Sequence, residues 1–188
     1  EPPPPRGAVR LRLVTESVAA DLTGPNQCEV LDAAGVEEVL GRLGPDPLDH
    51  QTPPEMLREE FISRVRASRR PVGELVMDQA VAAGVGNIYR AEALFRQGIS
   101  PHRRGANVSV ERLGRLWDDF VDLLHAGVRE GTIRTIDPEI VAESDLDPEE
   151  DKWFVYKRDG EPCRVCGNPV RTRVMQGRNL FWCSSCQR

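Results

Sequence analysis

The sequence predicts an α+β chain in three pieces: a short run of β-strands, a mainly helical middle, and a metal-clamped β-hairpin at the end. Three observations carry that prediction. Residues 8–15 alternate apolar and charged side chains, the period of a half-buried strand. Several segments between residues 32 and 129 repeat apolar residues at helical spacing. The tail holds Cys163-Arg-Val-Cys166 and Cys183-Ser-Ser-Cys186, sixteen residues apart, the spacing of a four-thiolate zinc site. The divisions fall at 1–34, 35–151 and 152–188.

Residues 1–7 read as a proline-rich, extended leader. In residues 8–15, Val9, Leu11 and Leu13 share one strand face and Arg10 and Arg12 the other. Residues 18–22 and 28–31 look like two more strands around a Gly24-Pro25-Asn26 turn. Asp32 can cap a short helix with Val36, Val39, Leu40 and Leu43 on its apolar face, stopped by Gly44-Pro45. Residues 43–48 then form a rigid linker. Thr52, the prolines after it and Glu55 make a capping box. The helix it opens carries a stripe of Leu57, Phe61, Ile62 and Val65. A long helix over 109–129 buries Leu113, Leu116, Trp117, Phe120, Leu124 and Val128.

Between these helices Gly84 and Gly86 permit a tight turn with close backbone approach. Asn87 follows as the cap of a helix over 88–97, which buries Ile88, Ala91, Leu94 and Phe95 and ends at Gly98. The free amides at that helix start carry the positive end of its dipole, a ready phosphate site. Asn87 therefore has two readings, a plain cap or a phosphate ligand. Asp78, set among apolar residues, reads as a hydrogen-bonded brace for the turn rather than a catalytic acid. In the tail, residues 170–174 and 180–182 form a hairpin with Gln176, Gly177, Arg178 and Asn179 at its tip.

The net charge of −5 is unevenly spread. Residues 137–151 hold eight acids and no base, the pattern of a solvated loop, or of a gate beside a charged ligand. Residues 152–188 hold eight bases against two acids, and residues 50–105 nine arginines against six acids, so basic surfaces flank the acidic insert. No apolar run approaches the roughly 18 residues of a membrane span, and no signal peptide is visible. Four clustered cysteines, with Cys28 alone, suit a reducing cytoplasm. Two disulfides, or iron in place of zinc, are the competing readings of the tail. His50, His102 and His125 make no ligand spacing with one another and read as structural or solvated.

Two stretches carry a resemblance. Met77-Asp78-Gln79 through Gly84-Val85-Gly86-Asn87-Ile88-Tyr89, with Glu92 and Leu94-Phe95, resembles the helix–two-turns–helix of the formamidopyrimidine-DNA glycosylase / endonuclease VIII family. Gly160-Glu161-Pro162-Cys163 through Cys166-Gly167, and Gly177-Arg178, Phe181-Trp182-Cys183 and Cys186-Gln187, resemble that family's zinc finger. Leu43-Gly44-Pro45-Asp46-Pro47-Leu48 resembles its interdomain linker. The resemblance covers the chain from about residue 8 onward and makes residues 8–31 the last strands of an N-terminal β-sandwich.

The resemblance implies base-excision repair: a DNA glycosylase/AP lyase that flips a damaged base out of duplex DNA, removes it, and nicks the strand by β,δ-elimination. Asn87 and Gly86 would hold a backbone phosphate. Arg178 would bind phosphates flanking the flipped nucleotide and serve the δ-elimination step. Cys163, Cys166, Cys183 and Cys186 would hold one structural Zn²⁺ per chain. The implied protein is a bacterial, cytoplasmic, nucleoid-associated monomer that acts on damaged double-stranded DNA, with no membrane and no small-molecule cofactor. Three departures stand against the family pattern. The family's N-terminal proline nucleophile and the glutamate after it have no match, since Pro2 precedes Pro3. Gly73 stands where a lysine is usual, and Ala80 follows Gln79. Lys152 and Lys157, the sole lysines, are the candidate substitute amines. A non-catalytic damaged-DNA-binding module is the alternative these departures leave.

Overall fold

The computed structural model describes residues 3–25, 28–142, 146–147 and 150–188. Glu1, Pro2, Asn26 and part of the acidic 137–151 segment lie outside the described residues, as do the readings placed on them. The chain divides into two units, 1–41 and 42–188.

In the first unit, β1 (Val9–Val14) pairs antiparallel with β2 (Ala19–Thr23). The turn between them is held by Thr15, whose Oγ1 accepts from the Val18 amide at 3.0 Å. Residues 28–31 form no strand. The half-buried face expected of β1 is uncovered, with Leu11 44% and Leu13 61% exposed. Two strands alone give an apolar face nothing to pack against. Helix α1 (Ala33–Leu40) starts at Asp32, whose carboxylate accepts from the Gly35 amide at 2.9 Å. It ends at Gly41, ahead of the expected Gly44-Pro45 stop, and buries none of its residues.

The second unit is built on α2 (Pro54–Arg66), the single turn α3 (Val72–Leu75), α4 (Asn87–Arg96) and α5 (Val110–Glu130). Leu57, Phe61, Ile62 and Val65 of α2 meet Leu113, Leu116, Trp117, Phe120 and Leu124 of α5 in one core, as their spacing requires. Phe61 packs against Trp117 and Phe120 at ring separations of 5.2 and 6.1 Å. Val128, expected inside, is exposed, because it lies on the last turn of α5, beyond the packed part of that helix. Ser109 caps α5 by accepting from Arg112 N at 3.3 Å, and Gly131 closes it in the left-handed conformation. The capping box at Thr52 does not form. Pro53 is the N-cap of α2 with no side-chain hydrogen bond, and Asp49 takes the Gln51 amide at 2.7 Å.

The tail folds as β3 (Arg171–Met175) and β4 (Arg178–Trp182), paired antiparallel with Arg171 opposite Trp182 and Met175 opposite Arg178. The turn is shorter than expected. Gln176 and Gly177 alone form it, both at positive φ, 52° and 70°, the conformation of a two-residue hairpin turn matching strand twist. A second core of Ala91, Phe95, Val155, Val170, Phe181, Cys163 and Cys183 lies under the hairpin. Helix α4 serves both cores: Tyr89, Ala93 and Leu94 face the first, Ala91 and Phe95 the second. That double packing explains why every residue from Tyr89 to Phe95 is buried.

Candidate nucleic-acid interface and metal centre

The four cysteines converge. Their sulfurs all lie within 4.8 Å of one another, with Cys163–Cys186 at 3.9 Å and Cys166–Cys183 at 3.5 Å. A Zn–S bond of about 2.3 Å puts the corners of a tetrahedron about 3.8 Å apart, so the cluster fits zinc. The cysteines form no disulfide. The Asn168 backbone and side-chain amides bring the Cys166 thiol down to about 6, easing formation of the thiolate that binds metal. Four protein ligands leave no open position, which makes the site structural. Gln187 locks it to the helical core: its Oε1 accepts from Cys183 N at 2.8 Å and its Nε2 donates to Ile99 O at 3.0 Å.

The glycine turn is braced from three sides. Asp78 accepts from Ala80 N at 3.1 Å and from Arg70 Nη1 at 2.9 Å, so it is a brace. Gln79 holds the turn closed: its Oε1 accepts from Gly84 N at 2.9 Å and its Nε2 donates to Val85 O at 3.1 Å. The 43–48 segment straps across it, with Gly44 N donating to Gln79 O at 2.8 Å and Ala83 N to Pro45 O at 3.0 Å. A Cβ on Gly44 would sit 2.7 Å from Ala80 O, so only glycine fits there. Gly84 takes φ +78°, but Gly86 is extended at φ −105°. Only Gly84 is therefore needed for the turn. Beside Gly86 there is open space, which leaves the start of α4 approachable.

Asn87 is not the cap of α4; Gly86 is, and no side chain caps that helix. The Asn87 Oδ1 accepts from Arg90 Nη2, and its Nδ2 donates to the Asn179 carbonyl at 3.0 Å. The side chain thus bridges from the glycine turn to the hairpin, at the residue next to Arg178. Arg90 is fully buried and also donates from Nη1 to Met175 O at 3.3 Å. Burial, then the nearby charge of Arg178, brings the Arg90 guanidinium down to about 10. Gln176 at the hairpin tip reaches Arg70 at 2.8 Å and Glu74 O at 3.2 Å with its amide oriented to suit them. Gly73 is filled in by its neighbours: a Cβ there would come 2.9 Å from Pro101 Cβ and 3.1 Å from Met175 Sδ.

The sequence pointed to the cysteines by spacing, to Asn87 by the glycine turn before it, and to Arg178 by resemblance. It missed Arg90 and gave Gln79 and Asn179 no role of their own. The signal available for Arg90 was a cation in the first turn of a helix, where the dipole disfavours it. Most arginines of the 50–105 stretch serve the fold: Arg58 pairs with Asp118, Arg64 with Glu60, Arg70 with Asp78, Arg96 with Asp119, and Arg66 donates to Val108 O. The hairpin differs. Arg171 and Arg173 alternate on β3, and Arg178 lies opposite Met175, so all three share one face. They are exposed and pair with no carboxylate among the described residues. Lys157 Nζ lies over the Tyr156 ring at 5.8 Å. His102 meets Trp182 edge-on, and His50 meets His125; His125 is half-buried, while His50 and His102 keep an exposed side.

Comparison with known proteins agrees with this arrangement. Residues 43–137 match the model of the formamidopyrimidine-DNA glycosylase H2TH domain, and residues 160–188 that of a zinc finger found in FPG and IleRS. Endonuclease 8 1 of Mycobacterium tuberculosis (strain H37Rv) is 45% identical over 98% of this chain and 68% of its own length. The formamidopyrimidine-DNA glycosylase of Geobacillus kaustophilus is 38% identical over 79% of this chain and 53% of its own length. The crystal structure of the MutM (Fpg) protein of Thermus thermophilus superposes with a TM-score of 0.73 at 31% identity, covering 98% of this chain and 70% of that one. The fold, the zinc-finger cysteines and the two family matches together place this chain in the formamidopyrimidine-DNA glycosylase / endonuclease VIII family.

Proposed function

We propose that this protein acts in base-excision repair as a DNA glycosylase and AP lyase, and that the 42–188 unit is the part that grips the damaged duplex. The observation that carries this is the bridge from Asn87 at the start of α4 to Asn179, beside Arg178. It brings a helix N-terminus and an exposed guanidinium together with no carboxylate partner among the described residues, the chemistry of a phosphate site. The Arg171, Arg173 and Arg178 face extends that positive surface along the hairpin. In the lyase step Arg178 would neutralise the phosphate that leaves in δ-elimination. The zinc cluster fixes the hairpin so that Arg178 does not wander.

The test is binding to a duplex carrying a tetrahydrofuran abasic-site analogue, measured across a salt series. Affinity should fall steeply with salt. Asn87→Ala and Arg178→Ala should each weaken it about tenfold, and Arg178→Ala, which removes a charge, should also lower the salt slope by about 1. Binding that ignores salt, or that neither substitution weakens, overturns the proposal.

A further inference from the structure

Arg90 is the one group of this region that the phosphate reading does not use. It is 0% exposed, its Nε has no hydrogen-bond partner, and it faces no carboxylate among the described residues. It also stands in the first turn of α4, against the positive end of the dipole, with Arg178 near enough to repel it. A buried cation in such surroundings is costly unless an anion comes close. Its two bonds show what it does there. A guanidinium only donates, so its bond to Asn87 Oδ1 decides which end of that amide points away. The Asn87 Nδ2 is thereby turned outward, toward the Asn179 carbonyl. The bond to the Met175 carbonyl holds the other strand at the neck of the hairpin, opposite Arg178 in the register.

We propose that Arg90 is the positioning residue of the phosphate site: from beneath, it orients the Asn87 amide and pins the hairpin neck so that Asn87 and Arg178 meet the same backbone phosphate. An incoming phosphate takes the Nδ2 hydrogen that Asn179 now accepts and supplies the negative charge that Arg90 and Arg178 lack. This inference rests on the function proposed above, and the experiment separates the two.

Binding of the zinc-loaded protein to the abasic-analogue duplex is measured in a double-mutant cycle with Asn87→Ala, Arg90→Met and both together. Zinc content and circular dichroism report on the fold. Arg90→Met should weaken binding about tenfold, and the double variant should lose clearly less than the product of the two single losses, because both remove the same oriented amide and only the hairpin pin is lost in addition. Arg90→Lys keeps one donor and the charge, and should recover part of the loss. The Asn87 side-chain amide signals in a ¹H–¹⁵N spectrum should shift in Arg90→Met, with backbone changes in β3 and β4 confined to the Met175–Arg178 neck that Arg90 pins. Losses that multiply in the double variant, or an unmoved Asn87 signal, overturn the inference. If Arg90→Met releases zinc, the same cycle run with Arg90→Lys decides: additivity there overturns it too. Should Asn87→Ala and Arg178→Ala leave binding intact, the phosphate reading itself has failed, whatever Arg90 does.

Discussion

Glu92 is a carboxylate shut away from water and held by four donors. Its Oε1 accepts from the Val155 and Tyr156 amides, both at 2.8 Å, and its Oε2 from Phe154 N at 2.8 Å and Thr135 Oγ1 at 2.6 Å. Burial pushes its carboxyl above the ordinary range, and those hydrogen bonds work against burial. The residue joins α4 to the strand of chain that leads into the zinc hairpin. Glu92→Gln keeps the shape but replaces one acceptor with a donor. The Thr135 hydroxyl can rotate to accept; the Phe154 amide cannot. The substitution should cost about 1–3 kcal/mol, a fall of several degrees in Tm for a unit of this size, read by calorimetry. An unchanged Tm would show that the network is not holding the junction. Neither Glu92 nor Arg90 was legible as a buried group in the sequence, because charged residues on an amphipathic helix ordinarily face water. What buries them is the second core under α4, which is assembled from residues some sixty positions later. The cysteines were legible because local spacing alone encodes a four-thiolate site, whereas Asn87 and Arg178 were singled out by the glycine turn and by resemblance.

At the scale of elements, the long helices were readable because their apolar stripes are long and regular, and α5 follows its pattern from the Ser109 cap to Leu124. Short-range chemistry misled where a competing group was nearer: at 3.4 Å, Asp49 accepts from the Thr52 amide that the Glu55 side chain was expected to take in a capping box. Residues 28–31 carry β-forming side chains but pair with no strand among the described residues, and strand propensity without a partner decides little. The hairpin's seating on the helical unit was not legible at all, since it depends on loop 98–104 meeting β4. There His102 packs edge-on to Trp182 at 4.8 Å. Burial, then the charge of Arg173, lowers its pKa below the ordinary 6.5. The unfolded chain therefore binds the proton more readily. The contact's stabilising effect is full above about pH 6.5 and fades as pH falls from there toward the lowered folded value. Denaturation midpoints taken from pH 8 to 5 should show that decline in the native protein and a flatter profile in His102→Gln. Identical profiles would remove His102 from the account of acid sensitivity.

For the whole molecule, the two cores of the 42–188 unit predict different dependence on metal. The first core packs α2 against α5 and contains none of the cysteines, whereas the second includes Cys163 and Cys183 themselves. A core of seven residues cannot order thirty-odd residues without further support, so the zinc bonds supply the missing free energy. Chelation should therefore melt the tail and spare most of the helices. Trp117 lies in the first core, while Trp153 and Trp182 lie in the tail segment, so emission should shift in single-tryptophan versions carrying Trp153 or Trp182 and hold in the one carrying Trp117. Thiol counting gives an independent reading. With zinc bound, only the exposed Cys28 stands outside the cluster and should react quickly; after chelation all five cysteines should. DNA affinity should fall at least as far as in Arg178→Ala, since the hairpin that carries Arg178 no longer has a fixed shape. A single cooperative loss of both tail and helices would instead mean that α4 cannot hold its first-core contacts without the second. Retained DNA binding by the metal-free protein would remove the hairpin from the interface.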